Sequence, residues 1–182
     1  MKMLVHRTPI SANQPFVLDE VKQYARIDGS GDDLTLGRMG RAAAAEVEHF
    51  AQVALLTQTI RVTILDLVHD AGLTLPSGPM AEGATAIVTI DGEPFTGFDL
   101  VTGMRPYLSW PASIRGAASD RVVIEYPAGF GDAPEDVPDD LSQAVLDQVA
   151  LTFDERAPRE AKTLARSSHL ARVGTRYRGV SI

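Results

Sequence analysis

The chain has 182 residues, of which 45% are hydrophobic, 23% charged and only 6% aromatic, so its core rests mainly on Ala, Val, Leu and Ile. It has no cysteine, which excludes disulfides and thiolate metal sites, and no apolar run near the roughly 20 residues that a helical bilayer span requires. The net charge of −7 is uneven: residues 1–156 carry 11 Lys/Arg against 23 Asp/Glu, whereas 157–182 carry 6 bases and one acid, Glu160. Such a body repels nucleic acid, while the basic end can seek an acidic partner.

Met1 to Arg7 lack the apolar core of a signal peptide, so cytoplasmic synthesis is expected. Pro15 precedes Phe16 to Ala25, where Leu18, Val21 and Ala25 recur at helical spacing. Asp28-Gly29-Ser30-Gly31 breaks the chain, and Asp32 or Asp33 is placed to cap a second helix by accepting N–H groups of its first turn. Along it Leu36, Met39, Ala43, Val47, Phe50 and Ala54 form one apolar stripe. Gly37 and Gly40 leave two readings, since Gly inside a helix costs about 1 kcal/mol against Ala. Either the helix begins near Arg38, or the glycines admit a close helix approach between subunits.

From Gln58 the period changes. Thr59 to Asp66 and Ala84 to Asp91 alternate β-branched and polar residues, and Asp91-Gly92 signals a hairpin turn. Phe95 to Val101, Pro106 to Trp110 and Arg121 to Tyr126 read as further short strands, whose edges can pair with neighbouring subunits. Pro127 to Gly131 is a turn and Asp132 to Asp136 an acidic loop. Asp139 or Asp140 then caps a helix running to about Arg156, with Leu141, Val145, Gln148, Val149 and Thr152 along one side, and Ala157-Pro158 ends it. The rest offers Leu164, Leu170 and Val173 as apolar anchors and an extended Arg176-Tyr177-Arg178-Gly179, to be ordered by a partner. The expected fold class is α+β: a small helical bundle (1–56 and 127–157), an inserted antiparallel β-rich unit (57–126) and an extended basic tail (158–182).

Chemistry-bearing patterns are weak. His6, His49, His69 and His169 are scattered and follow no metal-ligand spacing. Asp132, Glu135, Asp136, Asp139 and Asp140 lack the calcium-loop arrangement, and Ser77 and Ser109 sit in no nucleophile elbow. Gly29, Gly31, Gly37 and Gly40 follow no strand, so they form no dinucleotide cradle. No catalytic, cofactor-binding or metal residue is expected, and the chain is read as a non-enzyme. The residues expected to dock a partner or neighbour are Arg159, Lys162, Arg166, Arg172, Arg176, Tyr177 and Arg178, because Arg grips carboxylates in bidentate fashion.

Several segments together resemble a known family. Val17 to Asp28, ending Arg26-Ile27-Asp28, is followed by Asp32-Asp33-Leu34 and an Ala-rich helix with Glu46 or Glu48 near its middle. Later come Val122 to Gly131 with its Ala128-Gly129-Phe130-Gly131 turn, Val137-Pro138-Asp139-Asp140-Leu141, and a helix closing on Phe153-Asp154-Glu155-Arg156. Leu75-Pro76 and Trp110-Pro111 fall between them. In this order the segments resemble phage head–tail connector (adaptor) proteins, which also occur in gene transfer agents, over most of residues 16–156. The resemblance implies a virion protein at the head–tail junction, forming a homo-oligomeric ring, commonly a dodecamer, under the portal protein, and with it an expected ring interface on the helices at Met39, Ala43, Val47, Phe50, Leu141 and Val145. That ring extends the DNA channel without binding DNA specifically, and it provides a platform for a stopper or tail protein; no membrane and no cofactor are implied. Two readings of other classes stand beside it. One is a small ligand-binding protein or hydrolase with a site between β-unit and helices; the other is a DNA-binding accessory protein acting through its basic tail.

Overall fold

The computed structural model describes residues 2–65, 72–110, 121–154 and 167–178. The chain is α+β and divides into two compact units, one of residues 1–12 and 57–130, the other of residues 13–56 and 131–182.

The first unit is built from eight strands: β1 (Lys2–Pro9), β2 (Gln58–Leu65), β3 (Gly72–Thr74), β4 (Ile87–Ile90), β5 (Glu93–Phe95), β6 (Asp99–Val101), β7 (Tyr107–Ser109) and β8 (Arg121–Ala128). They form an antiparallel five-stranded sheet in the order β1-β2-β8-β4-β5 and a three-stranded sheet in the order β3-β7-β6. Period two does the sorting. Ile60, Val62 and Ile64 of β2, Val122, Ile124 and Tyr126 of β8 and Val88 of β4 are buried, while the residues between them face outward. Tyr126 anchors this buried face: its hydroxyl donates to the Ser77 carbonyl at 3.0 Å and accepts the Ser77 N–H at 3.2 Å. Asp91-Gly92 closes the β4–β5 hairpin, both residues at positive φ.

No element was anticipated before Phe16, yet β1 pairs with β2 along its whole length, from Lys2 opposite Leu65 to Pro9 opposite Gln58. The reason it escapes pattern reading is physical. As an edge strand it is exposed on both faces, with Leu4 and Val5 open to solvent, so it lacks alternation.

The second unit packs four helices: α1 (Leu18–Tyr24), α2 (Asp33–Ala51), α3 (Asp139–Asp154) and α4 (Ser168–Arg178). The loop before α3 carries a short 3-10 turn at Pro134–Asp136, where the Asp136 carboxylate accepts the Ala133 N–H at 3.0 Å. Asp139 and Asp140 lie in the first turn of α3, a favourable place for carboxylates at a helix dipole. Asp32 occupies the N-cap of α2 but makes no side-chain cap bond; its main-chain carbonyl accepts the Leu36 N–H instead, at 2.8 Å.

Both glycines lie inside α2, which begins at Asp33. Gly40 makes room within the unit: a Cβ there would stand 2.3 Å from Phe16 Cζ. The close approach is therefore to this chain's own Phe16.

Candidate interaction surface

The segment expected to be an extended tail is, over Ser168–Arg178, a helix built into the second unit. Ser167 starts it, its hydroxyl accepting the Leu170 N–H at 3.0 Å while its own N–H donates to Gln148 Oε1 at 3.1 Å. Leu170 and Val173 are fully buried, and Gly174 lies flat on Phe50, where a Cβ would come within 2.1 Å of Cδ1. Hydrophobic burial and a glycine contact, rather than charge, dock this helix. Leu170 and Val173 were named as anchors from sequence; Leu164 lies outside the described residues.

Asp140 ties down the far end. One carboxylate oxygen accepts the Tyr177 hydroxyl at 2.9 Å and the other meets Arg176 at 3.0 Å, while the Asp140 carbonyl lies 3.0 Å from His169 Nε2. Arg172 in turn bonds His169 Nδ1 at 2.9 Å. Of the docking residues named from sequence, Arg172, Arg176, Tyr177 and Arg178 therefore lie together on α4, with the three arginines exposed. Arg176 and Tyr177 are also engaged by the chain's own Asp140. Arg159, Lys162 and Arg166 lie outside the described residues.

Burial pushes the Tyr177 hydroxyl up to about 12, and the hydrogen bond to the Asp140 carboxylate adds to the rise. A phenol held protonated in the fold contributes stability that is complete below its ordinary value of 10.0 and is lost as pH rises toward about 12. Tyr177→Phe is expected to flatten the alkaline unfolding of the helical unit, followed by helix circular dichroism across that window. The remaining slope in this unit includes Tyr24, whose ionisation is raised by its hydrogen bond to Asp147 and by burial.

The residues assigned to a ring interface need correction. Ala43, Val47, Leu141 and Val145 are 3%, 0%, 0% and 0% exposed within this single chain, so they face its own core and not a neighbour. An apolar stripe shows that a face is covered without saying by what; here α3 and α4 cover α2. Met39 and Phe50 are half-buried, and Phe50 meets Gly174. The outward side of α2 is Leu34, Arg38, Arg41, Ala42, Ala45 and His49, with Leu34 82% exposed.

Sequence reasoning also missed the role of Glu48. Its carboxylate accepts the Leu55 N–H at 2.8 Å and its carbonyl takes the N–H groups of Gln52 and Val53, folding the chain back at the end of α2. The left-handed Gln52 marks the turn but carries no sequence signal.

Among solved structures, the fold recurs in gene transfer agent (GTA) particles. A chain in the virion of a native GTA particle matches with 25% identity and a TM-score of 0.73, over 98% of this chain and 97% of that chain. A chain in the neck of an empty GTA particle computed with C6 symmetry matches with 24% identity and a TM-score of 0.74, and one in the neck of a native GTA particle computed with C12 symmetry with 24% and 0.71, both at the same coverage. This is the fold of a GTA particle chain. No family model and no curated protein matches it.

Among the described residues, no group of three His, Asp or Glu is placed to hold a metal ion. The concavity of about 440 Å³ on the five-stranded sheet is an open outer face lined by Arg61, Thr63, Ile87, Thr89, Val123 and Glu125 among others, with Arg61 paired to Glu125. No helix among the described residues is long and apolar enough to cross a membrane.

Proposed function

We propose that this chain is a structural, non-enzymatic subunit of the neck of a gene-transfer-agent or tailed-phage-type particle, acting as a head–tail adaptor. Twelve copies form a ring under the portal protein and continue the DNA channel toward a stopper or tail protein. The observation that carries this reading is the end-to-end likeness, 98% of this chain on 97% of the other, to a chain of the native GTA virion. The acidic body fits a channel wall, because like charge lets DNA slide without sticking. In this reading α4 offers Arg172 and Arg178 to an acidic surface of the portal, with Arg159, Lys162 and Arg166 joining them.

Mixing the purified full-length chain with its portal, and following mass and symmetry, tests the reading. A portal-bound assembly with twelvefold symmetry is expected, and Arg172→Glu with Arg178→Glu is expected to weaken portal binding by about tenfold without unfolding the chain. These exposed substitutions are preferable to deleting the segment, because deletion would strip Leu170 and Val173 from the core. A chain that stays monomeric and never joins the portal would overturn it.

A further inference from the structure

The first unit is polarised along the width of its sheet. Residues 1–18 contain no acid and carry Lys2 and Arg7; residues 71–104 contain no Lys, Arg or His and carry Glu82, Asp91, Glu93 and Asp99. The topology puts β1 of the first stretch and β5 of the second at opposite edges, while the second stretch also returns to the first at Ser77, which accepts a hydrogen bond from Arg7 at 2.9 Å. β1 is one edge of the five-stranded sheet and β5 the other, four strand spacings or roughly 19 Å apart, and β5 passes directly into β6 through Thr96-Gly97-Phe98. Lys2, Glu82, Asp91, Glu93 and Asp99 are exposed. Arg121, on β8, and Arg105, between β6 and β7, border the acidic side and offset two of its four charges.

Apolar exposure falls on the same two sides. Leu4, Val5 and Ile10 are 52%, 44% and 59% exposed on or beside β1; Ile87 and Val101 are 64% and 60% exposed on β4 and β6. Large apolar side chains ringed by charge are the composition of a recognition surface. With Arg7 turned to Ser77, Lys2 is the exposed base of the β1 edge and the complement of Asp91, Glu93 and Asp99 on the other side.

The hydrogen-bond phase of β1 adds a chemical detail. Ile10 N–H donates to the Thr57 carbonyl, so residues of even number turn their main-chain groups toward β2 and those of odd number turn them outward. Pro9, which has no N–H, obeys this phase. The N–H groups of Met3 and Val5 thus point away from the sheet, as donors suited to carboxylates. The β5 edge is different. It is three residues long with Pro94 at its centre, which blocks a continuing ladder and leaves side-chain carboxylates as its offering.

We infer that the basic β1 side of one copy docks on the acidic side of the next, the segment 91–101 with its flanking Ile87 and Val101. The occupant of each side is a second copy of this chain, joined head to tail, so that the contact closes into a ring when the rotation per copy allows it. This names the contact for the ring of the proposed function and rests on that reading. It also places the contact on the β-unit, consistent with a helical stripe that the chain buries internally.

The test uses the full-length chain and reads assembly mass by sedimentation and native mass spectrometry, alone and on portal. Lys2→Glu with His6→Glu reverses one side and leaves the Arg7–Ser77 hydrogen bond in place; Glu93→Lys with Asp99→Lys reverses the other. Each pair is expected to weaken self-association by about tenfold, and all four substitutions together to restore it. Rising salt is expected to weaken the native contact, because charges at a rim are screened within about 8 Å at 0.15 M. A covalent readout covers the case of variants that fold poorly. The chain has no cysteine, so Val5→Cys and Val101→Cys, mixed as separate chains under oxidation, are expected to form the mixed disulfide in preference to either symmetric one. Rings that form normally in both reversed variants, with no preference for the mixed disulfide, overturn the inference and leave the ring reading standing. A wild-type chain that assembles under no condition overturns both.

Discussion

Leu170→Ala lowers the stability of the helical unit by about 2–5 kcal/mol, the cost of a cavity left by a fully buried leucine. Urea unfolding followed by helix circular dichroism reads the loss. Two comparisons make the result specific. Arg172→Ala, on the exposed side of the same helix, changes stability by about 0.5 kcal/mol or less, since surface substitutions rarely do more. Asp140→Asn keeps the shape of the node yet removes the charge facing Arg176, and the exposed pair contributes at most about 1 kcal/mol. An unchanged midpoint in Leu170→Ala would mean that α4 is not part of this core.

Gly78→Ala destabilises the β-unit by about 3 kcal/mol, the upper end for forcing a methyl into packed space. The expected magnitude comes from what the methyl would strike. At Gly78 it would stand 2.1 Å from the Met104 carbonyl oxygen and 2.9 Å from its carbon, which are backbone atoms and cannot swing aside. At Gly40 and Gly174 the obstruction is a phenylalanine ring, which can turn, so Gly→Ala there is expected to cost less. Gly78 also adjoins Ser77, whose main chain holds the Tyr126 hydroxyl and whose side chain accepts a hydrogen bond from Arg7 at 2.9 Å. Displacing this loop disturbs both. Thermal unfolding followed by the near-ultraviolet signal of the β-unit, which holds Trp110 and Tyr126, measures the effect. A loss below about 1 kcal/mol would show that the Met104 segment yields easily.

The neck reading and the polarised sheet bear on each other. A structural ring subunit needs a self-complementary pair of surfaces more than it needs a pocket, and an asymmetry of charge within the first unit runs from β1 to the β4–β5 edge. That asymmetry hides behind the better-known one between body and C-terminal segment. It becomes visible only once the topology sets Lys2 on β1 and Glu93 on β5 at opposite edges of one sheet.

The sequence by itself determined the local structure wherever one face of an element is covered and the other is wet. α2 and α3 follow from apolar spacing, β2 and β8 from alternation, and the β4–β5 hairpin from Asp91-Gly92, because these signals arise from geometry within a few residues. It also determined the α+β class and the acidic body. Tertiary structure alone decided what covers each face. Ala43, Val47, Leu141 and Val145 carry the same pattern whether their neighbour is α4 of the same chain or a helix of another, and only the packing assigns them to the intramolecular core. Likewise, Lys2–Pro9 has no periodic signature, yet β2 offers it a full ladder of main-chain partners, from Thr59 facing Thr8 across 51 residues of chain to Leu65 facing Lys2 across 63, and non-local pairing of that kind leaves no trace in local pattern. Ser168–Arg178 looks like a solvated tail because its apolar content is small, and it becomes a helix because Gly174 lets it lie against Phe50 while Asp140 receives its far end.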